Sequence, residues 1–153
     1  MPEEFDKIDL AILRQLQKDT SQSIDDIAEK AALSRNACWR RIKRMEQTGT
    51  IRDRVALLDA DKLDLGQMVL VLIRTNAHDP DWLRRFRAAV VGMPEIMGAH
   101  RMSGDLDYVL RVRVRDVKAY DRFYQRLIAQ VPVANVSASF VMEDIKDTTQ
   151  LPL

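Results

Sequence analysis

The segment LSRNACWRRIKRMEQTG, residues 33–49, decides how the first part of this chain folds. It holds five basic residues between positions 35 and 44, together with a tryptophan and the only cysteine of the chain. Four interpretations are open at first: a solvated helix face, a membrane-surface helix, a reactive or metal-binding thiol site, and a surface that binds nucleic acid. The charge, periodicity and flanking sequence discriminate among them.

Charge is distributed unevenly, although the formal net charge is only +1. Residues 1–34 hold four basic and eight acidic side chains, whereas residues 35–54 hold seven basic and two acidic ones. A local basic stripe on a nearly neutral protein is what an anionic partner requires.

Composition and length narrow the class of protein. A chain of 153 residues is long enough for one ordinary domain or two small ones. The longest apolar run, residues 68–73, is too short to cross a bilayer, and the acidic start is unlike a signal peptide. A single cysteine permits no internal disulfide and suits a reducing compartment. We therefore expect a cytoplasmic protein with no membrane partner.

Three short helices are predicted in the first third of the chain. Apolar residues recur at helical spacing within residues 6–18, and Ser23 opens a capping-box-like S-x-x-D for a second helix. Ser34 is the candidate N-cap of the quoted helix, and Gly49 is its candidate C-terminal stop. The brief turn at residues 32–34 joins the last two helices, which is a helix-turn-helix pattern.

From about residue 67 onward, the spacing of apolar residues changes from a helical pattern to a mixture of strand and helix patterns. Strands are predicted over residues 68–75, 95–102, 108–115 and 136–142, with helices after Asp79-Pro80 and over residues 117–131. The order β-α-β-β-α-β is the ferredoxin-like arrangement of one sheet covered by two helices. The sequence therefore predicts an α+β chain with a winged helix-turn-helix domain over 1–58, a linker over 59–66 and a ferredoxin-like domain over 67–153.

The quoted helix has a distinct inner and outer side. On a helical wheel, Cys38, Ile42 and Met45 fall together. The opposite, polar side holds Asn36, Arg40, Lys43, Arg44 and Gln47. Arginine can bond guanine and asparagine can bond adenine, while the remaining cations meet phosphates. Residues 51–57 alternate roughly, like a small wing or connecting strand, and extend the basic stripe. The candidate DNA-contacting residues are Ser34, Arg35, Asn36, Trp39, Arg40, Lys43, Arg44, Arg52 and Arg54.

The rival interpretations fail on specific residues. A membrane-surface helix needs a broad apolar face, but the inner side of this helix is needed to close a three-helix core. Cys38 belongs to that inner side, where a free cysteine usually packs as a small apolar residue. A metal site would need a cluster, and His78 and His100 lie far from Cys38 in sequence. Arg41, beside the inner side, anchors the fold or a phosphate in this interpretation.

Taken together, these segments resemble the Lrp/AsnC family of bacterial and archaeal transcription regulators over essentially the full chain. The matching pieces are residues 6–9 (DKID), 12–13 (IL), 16–17 (LQ), 27–28 (IA), 33–34 (LS), 40–46 (RRIKRME), 49–51 (GTI), 104–108 (GDLDY) and 146–153 (KDTTQLPL). Ala32 stands where the family commonly has glycine, and Leu106 stands where an aromatic residue is usual. The forms at residues 38–41, 93–95 and 139–143 are similar to a subgroup that responds to cysteine.

The resemblance implies a second domain that dimerises and binds a small amino-acid effector, with no other cofactor. Such proteins form octamers or other multiples of dimers. The residues implied for the effector are Met102, Gly104, Asp105, Leu106 and Asp107 in one turn, with Ser137 and Ser139 as weaker candidates. Asp105 or Asp107 would receive an α-ammonium, and the backbone amides of the turn a carboxylate. The same turn also forms well with no ligand.

We therefore expect a sequence-specific regulator that binds double-stranded DNA in the cytoplasm, associated with the nucleoid. No nucleophile-base pair, metal cluster or phosphate loop occurs in the sequence, so an enzyme is not expected. Two alternatives remain open at this point. One is an architectural DNA-compacting protein with low sequence specificity, and the other is a ferredoxin-like metabolic regulatory subunit.

Overall fold

Three capped helices begin the chain: α1 (Lys7–Leu16), α2 (Ile24–Lys30) and α3 (Arg35–Gln47), in a computed structural model that describes residues 4–76 and 79–153. Asp6 caps α1, and the Asp6 carboxylate accepts hydrogen bonds from the backbone N–H groups of Ile8 and Asp9. Ser23 and Ser34 cap α2 and α3 as predicted. None of the described helices is long and apolar enough to cross a membrane.

The core of these three helices confirms the predicted inner side of α3. Cys38, Ile42 and Met45 are buried against apolar residues of α1 and α2. The buried apolar residues that they contact include Ile12, Leu16, Ile27, Ala28 and Ala31. Gly49 follows α3 with a φ of +78°, so the predicted C-terminal stop is also confirmed.

The residues predicted as a wing or connecting strand pair with no strand within the described chain. After Ile51, the backbone up to Asp59 is without regular structure. Val55 and Leu57 are 67% and 74% exposed. A segment that alternates polar and apolar residues becomes a strand only if a second segment accepts its hydrogen bonds, and this unit offers none in the described residues.

The turn between α2 and α3 is built on an alanine in a left-handed conformation. Ala32 has a φ of +54°, and Ala32 N–H donates to the Glu29 carbonyl at 3.1 Å. Leu33 N–H donates to the Ala28 carbonyl at 2.9 Å. These two bonds form a Schellman motif, in which glycine is the usual residue because it has no Cβ to clash. Ala32 therefore holds the turn in strain.

The second folding unit is a four-stranded antiparallel sheet with helices on one face. Its elements are β1 (Gln67–Arg74), α4 (Pro80–Gly92), β2 (Ile96–Arg101), β3 (Tyr108–Val114), α5 (Val117–Gln130) and β4 (Asn135–Phe140). The strand order is β2-β3-β1-β4, which leaves β2 and β4 as edges. The predicted β-α-β-β-α-β order is confirmed, and so is the cap of α4 at Asp79.

Side chains on one face of this sheet and on the two helices form a single core. Val69, Val71 and Ile73 of β1 are fully buried, as are Leu110 and Val112 of β3. Phe123 of α5 is also fully buried. The strand predicted over residues 136–142 includes Met142, but β4 ends at Phe140 and Met142 is 95% exposed. The alternating pattern continues past Phe140 in sequence, whereas the β1–β4 register ends at the Val69–Phe140 pair.

The chain divides into two compact units, Met1–Leu57 together with Lys146–Leu153, and Leu58–Ile145. The last eight residues, which the sequence analysis places in the second domain, group with the first unit. Gln17, the C-cap residue of α1, explains why. The Gln17 side-chain amide donates to the Leu151 carbonyl at 2.8 Å and accepts from Leu151 N–H at 2.9 Å. Arg14 Nε donates to the Leu153 backbone oxygen at 2.8 Å.

The strained turn generates a stability prediction. Ala32→Gly removes a Cβ from a left-handed position, so we expect the free energy of unfolding to rise by about 0.5–1 kcal/mol. Urea unfolding followed by circular dichroism measures this change. Ala11→Gly, in the middle of right-handed α1, is the matched control and should lower stability instead. Destabilisation by both substitutions would contradict the strain assigned to Ala32.

Candidate nucleic-acid interface and effector turn

The outward side of α3 presents polar side chains to solvent. Asn36 and Arg40 are exposed on this side, and Arg52 is exposed just beyond the helix. Within residues 4–76 and 79–153, none of these three side chains makes an ion pair or a side-chain hydrogen bond. Their donors are therefore directed to solvent and remain available to a partner.

Three other predicted contact residues are held in exposed ion pairs. Lys43 and Arg54 both bond the Glu46 carboxylate, at 2.7 Å and 2.9 Å. Arg35 bonds Asp25 at 2.8 Å. The hydrogen bond from Lys43, together with the charge of Arg54, holds the pKa of Glu46 below its usual value. Ion pairs of this kind contribute little free energy in water, so a phosphate can replace the carboxylate.

A buried carboxylate links α3 to α1. Asp9 is only 1% exposed. Arg41 Nη1 donates to Asp9 Oδ1 at 2.8 Å, and Arg44 Nη2 donates to Asp9 Oδ2 at 2.7 Å. Arg41 also bonds the carboxylate of Asp6 at 2.7 Å. A buried charge is costly unless it is paired, so the two guanidinium groups that satisfy Asp9 also fix α3 against α1.

This arrangement changes the role assigned to Arg44. The helical wheel places Arg44 on the outward side with the DNA-contacting residues, but its guanidinium reaches back to Asp9. The long side chain permits this because the charged group lies several bonds away from the helix surface. Arg41 is paired with Asp6 and Asp9, in line with an anchoring position. The sequence does contain a signal that Asp9 has a structural role: it lies three residues after the Asp6 cap, in a D-x-x-D capping box.

The remaining residues of the quoted segment divide between packing and surface. Trp39 is 48% exposed on the flank of α3. The Ser34 hydroxyl accepts a hydrogen bond from Ala37 N–H at 3.3 Å, so its first role is to cap the helix. Burial raises the pKa of the Cys38 thiol, which disfavours the reactive thiolate. No cluster of metal-ligating side chains occurs in the part of the chain that the structure describes.

The candidate effector residues lie on the turn between β2 and β3. Gly104 has a φ of +110°, a conformation that favours glycine, and nothing lies within 4 Å of the position of a Cβ there. Met102 N–H donates to the Asp107 carbonyl at 2.8 Å, which closes the turn. Met102 and Asp105 are exposed, while Leu106 is half-buried. The turn thus offers an open backbone and the carboxylate of Asp105 to solvent.

Asp107 has a structural role that the sequence analysis missed. Asp107 Oδ2 accepts a hydrogen bond from Thr75 N–H at 2.8 Å, and Asp107 N–H donates to the Ile73 carbonyl at 3.0 Å. These bonds tie the turn to the end of β1. One oxygen of Asp107 is therefore already engaged, which leaves Asp105 as the more open of the two carboxylates.

Ser137 and Ser139 are not brought together with the turn inside one chain. They lie on β4, opposite Leu72 and Leu70 of β1. Because β4 is the edge farthest from β2, two strand spacings, about 10 Å, separate it from β3. The two serines face the side of the sheet that carries no helices, as Leu70 and Leu72 do.

Comparison with known proteins supports both units. A sequence profile described as "Lrp/AsnC ligand binding domain" matches residues 68–151, and one described as "Winged helix-turn-helix DNA-binding" matches residues 5–52. The DNA-binding transcriptional activator DecR of Escherichia coli (strain K12) is 46% identical over 150 residues, covering 97% of this chain and 99% of that protein.

Solved structures agree with these matches. The crystal structure of an AsnC family transcriptional regulator from Agrobacterium tumefaciens superposes with a TM-score of 0.93 at 50% identity, covering 97% of each chain. The crystal structure of a transcriptional regulator from Neisseria meningitidis in complex with L-Met superposes with a TM-score of 0.92 at 31% identity, again covering 97% of each chain.

The buried carboxylate gives a second prediction. Asp9→Asn keeps the side-chain volume but removes the charge that both arginines bond, so we expect the free energy of unfolding to fall by about 2 kcal/mol. Urea unfolding monitored by circular dichroism reports the loss. Asp25→Asn, which removes only the exposed partner of Arg35, should leave stability nearly unchanged. Equal stabilities for the two variants would show that Asp9 does not organise the helices.

Proposed function

The chain belongs to the Lrp/AsnC family of transcriptional regulators, and we propose that it binds operator DNA with the outward side of α3. The observation that carries this proposal is that Asn36, Arg40 and Arg52 keep their side chains free of partners in the described residues. Arg40 and Asn36 are suited to base edges in the major groove, and Arg52 is suited to a flanking phosphate.

Phosphate contacts would come from the cations of the exposed ion pairs. Lys43, Arg54 and Arg35 each exchange a carboxylate for a phosphate when DNA is present, at small cost. Ser34 and Trp39 lie close to these cations in sequence and add a hydroxyl and an aromatic edge. Arg44, bonded to Asp9, positions α3, and only the exposed part of its side chain would contact DNA.

A homodimer would present two such helices to successive major grooves of a pseudo-palindromic operator. Support comes from the side of the sheet without helices, where Leu70, Leu72 and Val109 are half-buried in the single chain. Ser137 and Ser139 border these apolar residues. A second copy that covers the same patch on both chains satisfies two-fold symmetry. Further contacts between dimers would give an octamer or another multiple of dimers.

A small amino acid is the proposed effector, bound at the turn of residues 102–107. Asp105 would receive the α-ammonium group, and the backbone amides around Gly104 would receive the carboxylate. The half-buried Leu106 stands where an aromatic residue is usual in the family and changes the side-chain pocket. The regulator from Neisseria meningitidis, solved in complex with L-Met, supports this ligand class. Cysteine is the first amino acid to test, on the strength of the subgroup motifs.

Binding of the effector would alter DNA binding through a coupling free energy between two sites. The ligand changes how dimers assemble or how their helices are spaced, and thereby the affinity for a two-site operator. The protein acts as a regulator and not as an enzyme, in the cytoplasm with the nucleoid. An architectural DNA-compacting role is the second candidate, favoured only by the phosphate-binding cations of the basic stripe.

The third prediction concerns DNA binding. A duplex enriched from a random pool by the wild-type protein should bind the double variant Arg40→Ala, Lys43→Ala at least a hundredfold more weakly, because base and phosphate contacts are lost together. Gel shift at fixed salt measures the affinity. The control Lys118→Ala, Arg122→Ala removes the same charge from exposed positions of α5 and should bind normally.

Light scattering measures the mass of each variant and so distinguishes loss of DNA contacts from loss of the oligomer. Wild type and both double variants should have the same mass, an even multiple of the 17.6 kDa chain. Unchanged DNA affinity in the α3 variant would contradict the assignment of this helix. A scrambled duplex bound as tightly as the enriched one, with an equal salt dependence, would favour the architectural role.

The fourth prediction concerns the effector. One of the common amino acids should raise the melting temperature of the wild-type protein, since a ligand selective for the folded state stabilises it. Asp105→Asn should abolish this rise because it removes the partner of the α-ammonium group. Asp121→Asn, an exposed carboxylate on α5, is the control and should respond like wild type. A rise that persists in Asp105→Asn would place the effector elsewhere.

A further inference from the structure

A cleft of about 350 Å³ lies between α4 and β2 in the second unit. Phe86 and Val90 of α4 form one wall, and Ala99 and Tyr108 of the neighbouring strands form the other. The cleft is separate from the turn of residues 102–107, although Arg101 and Tyr108 flank that turn directly. Its volume is at the lower end of the range typical of small-molecule sites.

The cleft exists because the edge strand β2 has a small residue, Ala99, at a position where a larger side chain would fill the space beneath α4. Ala99 pairs with Leu110 and Arg101 pairs with Tyr108, so Ala99 and Arg101 point to the helical side of the sheet. Ala99 fills little of the space beneath α4 and remains exposed. Val91, at the mouth, is 86% exposed. Apolar surface is therefore left open between the helix and the strand.

Aromatic side chains that contact each other form the floor of the cleft. The Phe86 and Tyr108 rings lie 4.5 Å apart between centroids, and Trp82 stacks on Phe86 at 5.0 Å. Both Phe86 and Tyr108 belong to the buried core. A ligand that enters the cleft consequently meets a preformed aromatic surface, and little ordering is required when it binds.

The charges around the cleft have one sign. Arg87 from α4 and Arg101 from β2 line it, and no acidic residue does. Neither arginine forms an ion pair with any residue of the described ranges, whereas Arg84 on the same helix bonds Asp81 at 2.8 Å. An apolar floor with two unpaired guanidinium groups suits an anion that carries hydrocarbon. Because no carboxylate is among the described lining residues, an ammonium group would meet no negatively charged side chain there and would lie near two guanidinium groups.

We propose that the cleft binds a small apolar monocarboxylic acid without an α-amino group. The carboxylate lies between Arg87 and Arg101, and the hydrocarbon chain packs on Phe86, Val90 and Ala99. This site has a different lining from the amino-acid site on the turn and takes a different class of ligand. Because Arg101 immediately precedes Met102, a bound carboxylate acts at the base of the effector turn and can modify its response.

Three probes with the same carbon skeleton test the ligand class: 4-methylpentanoate, its neutral amide and L-leucine. Isothermal titration of the full-length protein should show saturable binding of 4-methylpentanoate. The amide should bind at least about tenfold more weakly, because it makes no charge-assisted hydrogen bonds to arginine. Leucine should also bind this site at least about tenfold more weakly, since its ammonium group has no acceptor in the cleft.

Substitutions locate the site. Arg87→Gln should weaken 4-methylpentanoate binding by about tenfold or more, and Ala99→Leu should abolish it by filling the cleft without changing the charge. Arg84→Gln is the matched control on the same helix and should bind like wild type. Melting curves confirm that each variant is folded, which is expected because all three positions are exposed.

The variant Asp105→Asn tests whether the proposed amino-acid site and the cleft are different sites. That variant should bind 4-methylpentanoate normally, whereas Arg87→Gln should keep the thermal response to the amino-acid effector. Failure of the amino-acid proposal therefore leaves the cleft proposal standing, and the reverse also holds. Absence of saturable binding, equal affinity for the acid and its amide, unchanged binding in Arg87→Gln, or loss of binding in Asp105→Asn would each overturn the cleft proposal.

Discussion

The ion pairs of Asp9 with Arg41 and Arg44 organise the DNA-binding unit. The charge of Asp9, buried beneath α3, must be balanced, and α3 itself supplies the balancing groups. Half of the four arginines of α3 are thereby used inside the protein. The buried side of α3 at Cys38, Ile42 and Met45 and these ion pairs together hold the helix with Asn36 and Arg40 exposed. The side of α3 that we propose to contact DNA is thus supported by ion pairs within the protein.

In both units, some basic side chains form ion pairs within the protein and others do not. Arg40 and Arg52 are unpaired among the described residues, Lys43 and Arg54 share Glu46, and Arg41 holds a buried carboxylate. In the second unit Arg84 is paired, while Arg87 lines an apolar cleft without a partner. A guanidinium group without an ion-pair partner is normally solvated at the surface. Where such a group lies beside exposed apolar atoms, an anion that carries hydrocarbon can bond the guanidinium group and pack on the apolar atoms.

Periodicity and capping residues were sufficient to predict most of the fold. Ser23, Ser34 and Asp79 cap helices as expected, and the alternation from Tyr108 to Val114 matches a buried strand face. Periodicity was insufficient wherever a long side chain or a missing neighbour decided the outcome. Arg44 bends back to Asp9, and residues 51–57 pair with no strand among residues 4–76 and 79–153. Strand order, which separates Ser137 from the effector turn, is likewise a property of the assembled sheet and not of any one segment.

The contacts between Gln17 and Leu151 make the first unit discontinuous in sequence. A protein emerges from the ribosome in sequence order, and domains generally fold as units during synthesis. Helices α1 to α3 can assemble early, but their contacts with residues 146–153 form only after the whole of the intervening sheet has been made. The helix-turn-helix unit thus acquires these hydrogen bonds only after the intervening sheet has been synthesised.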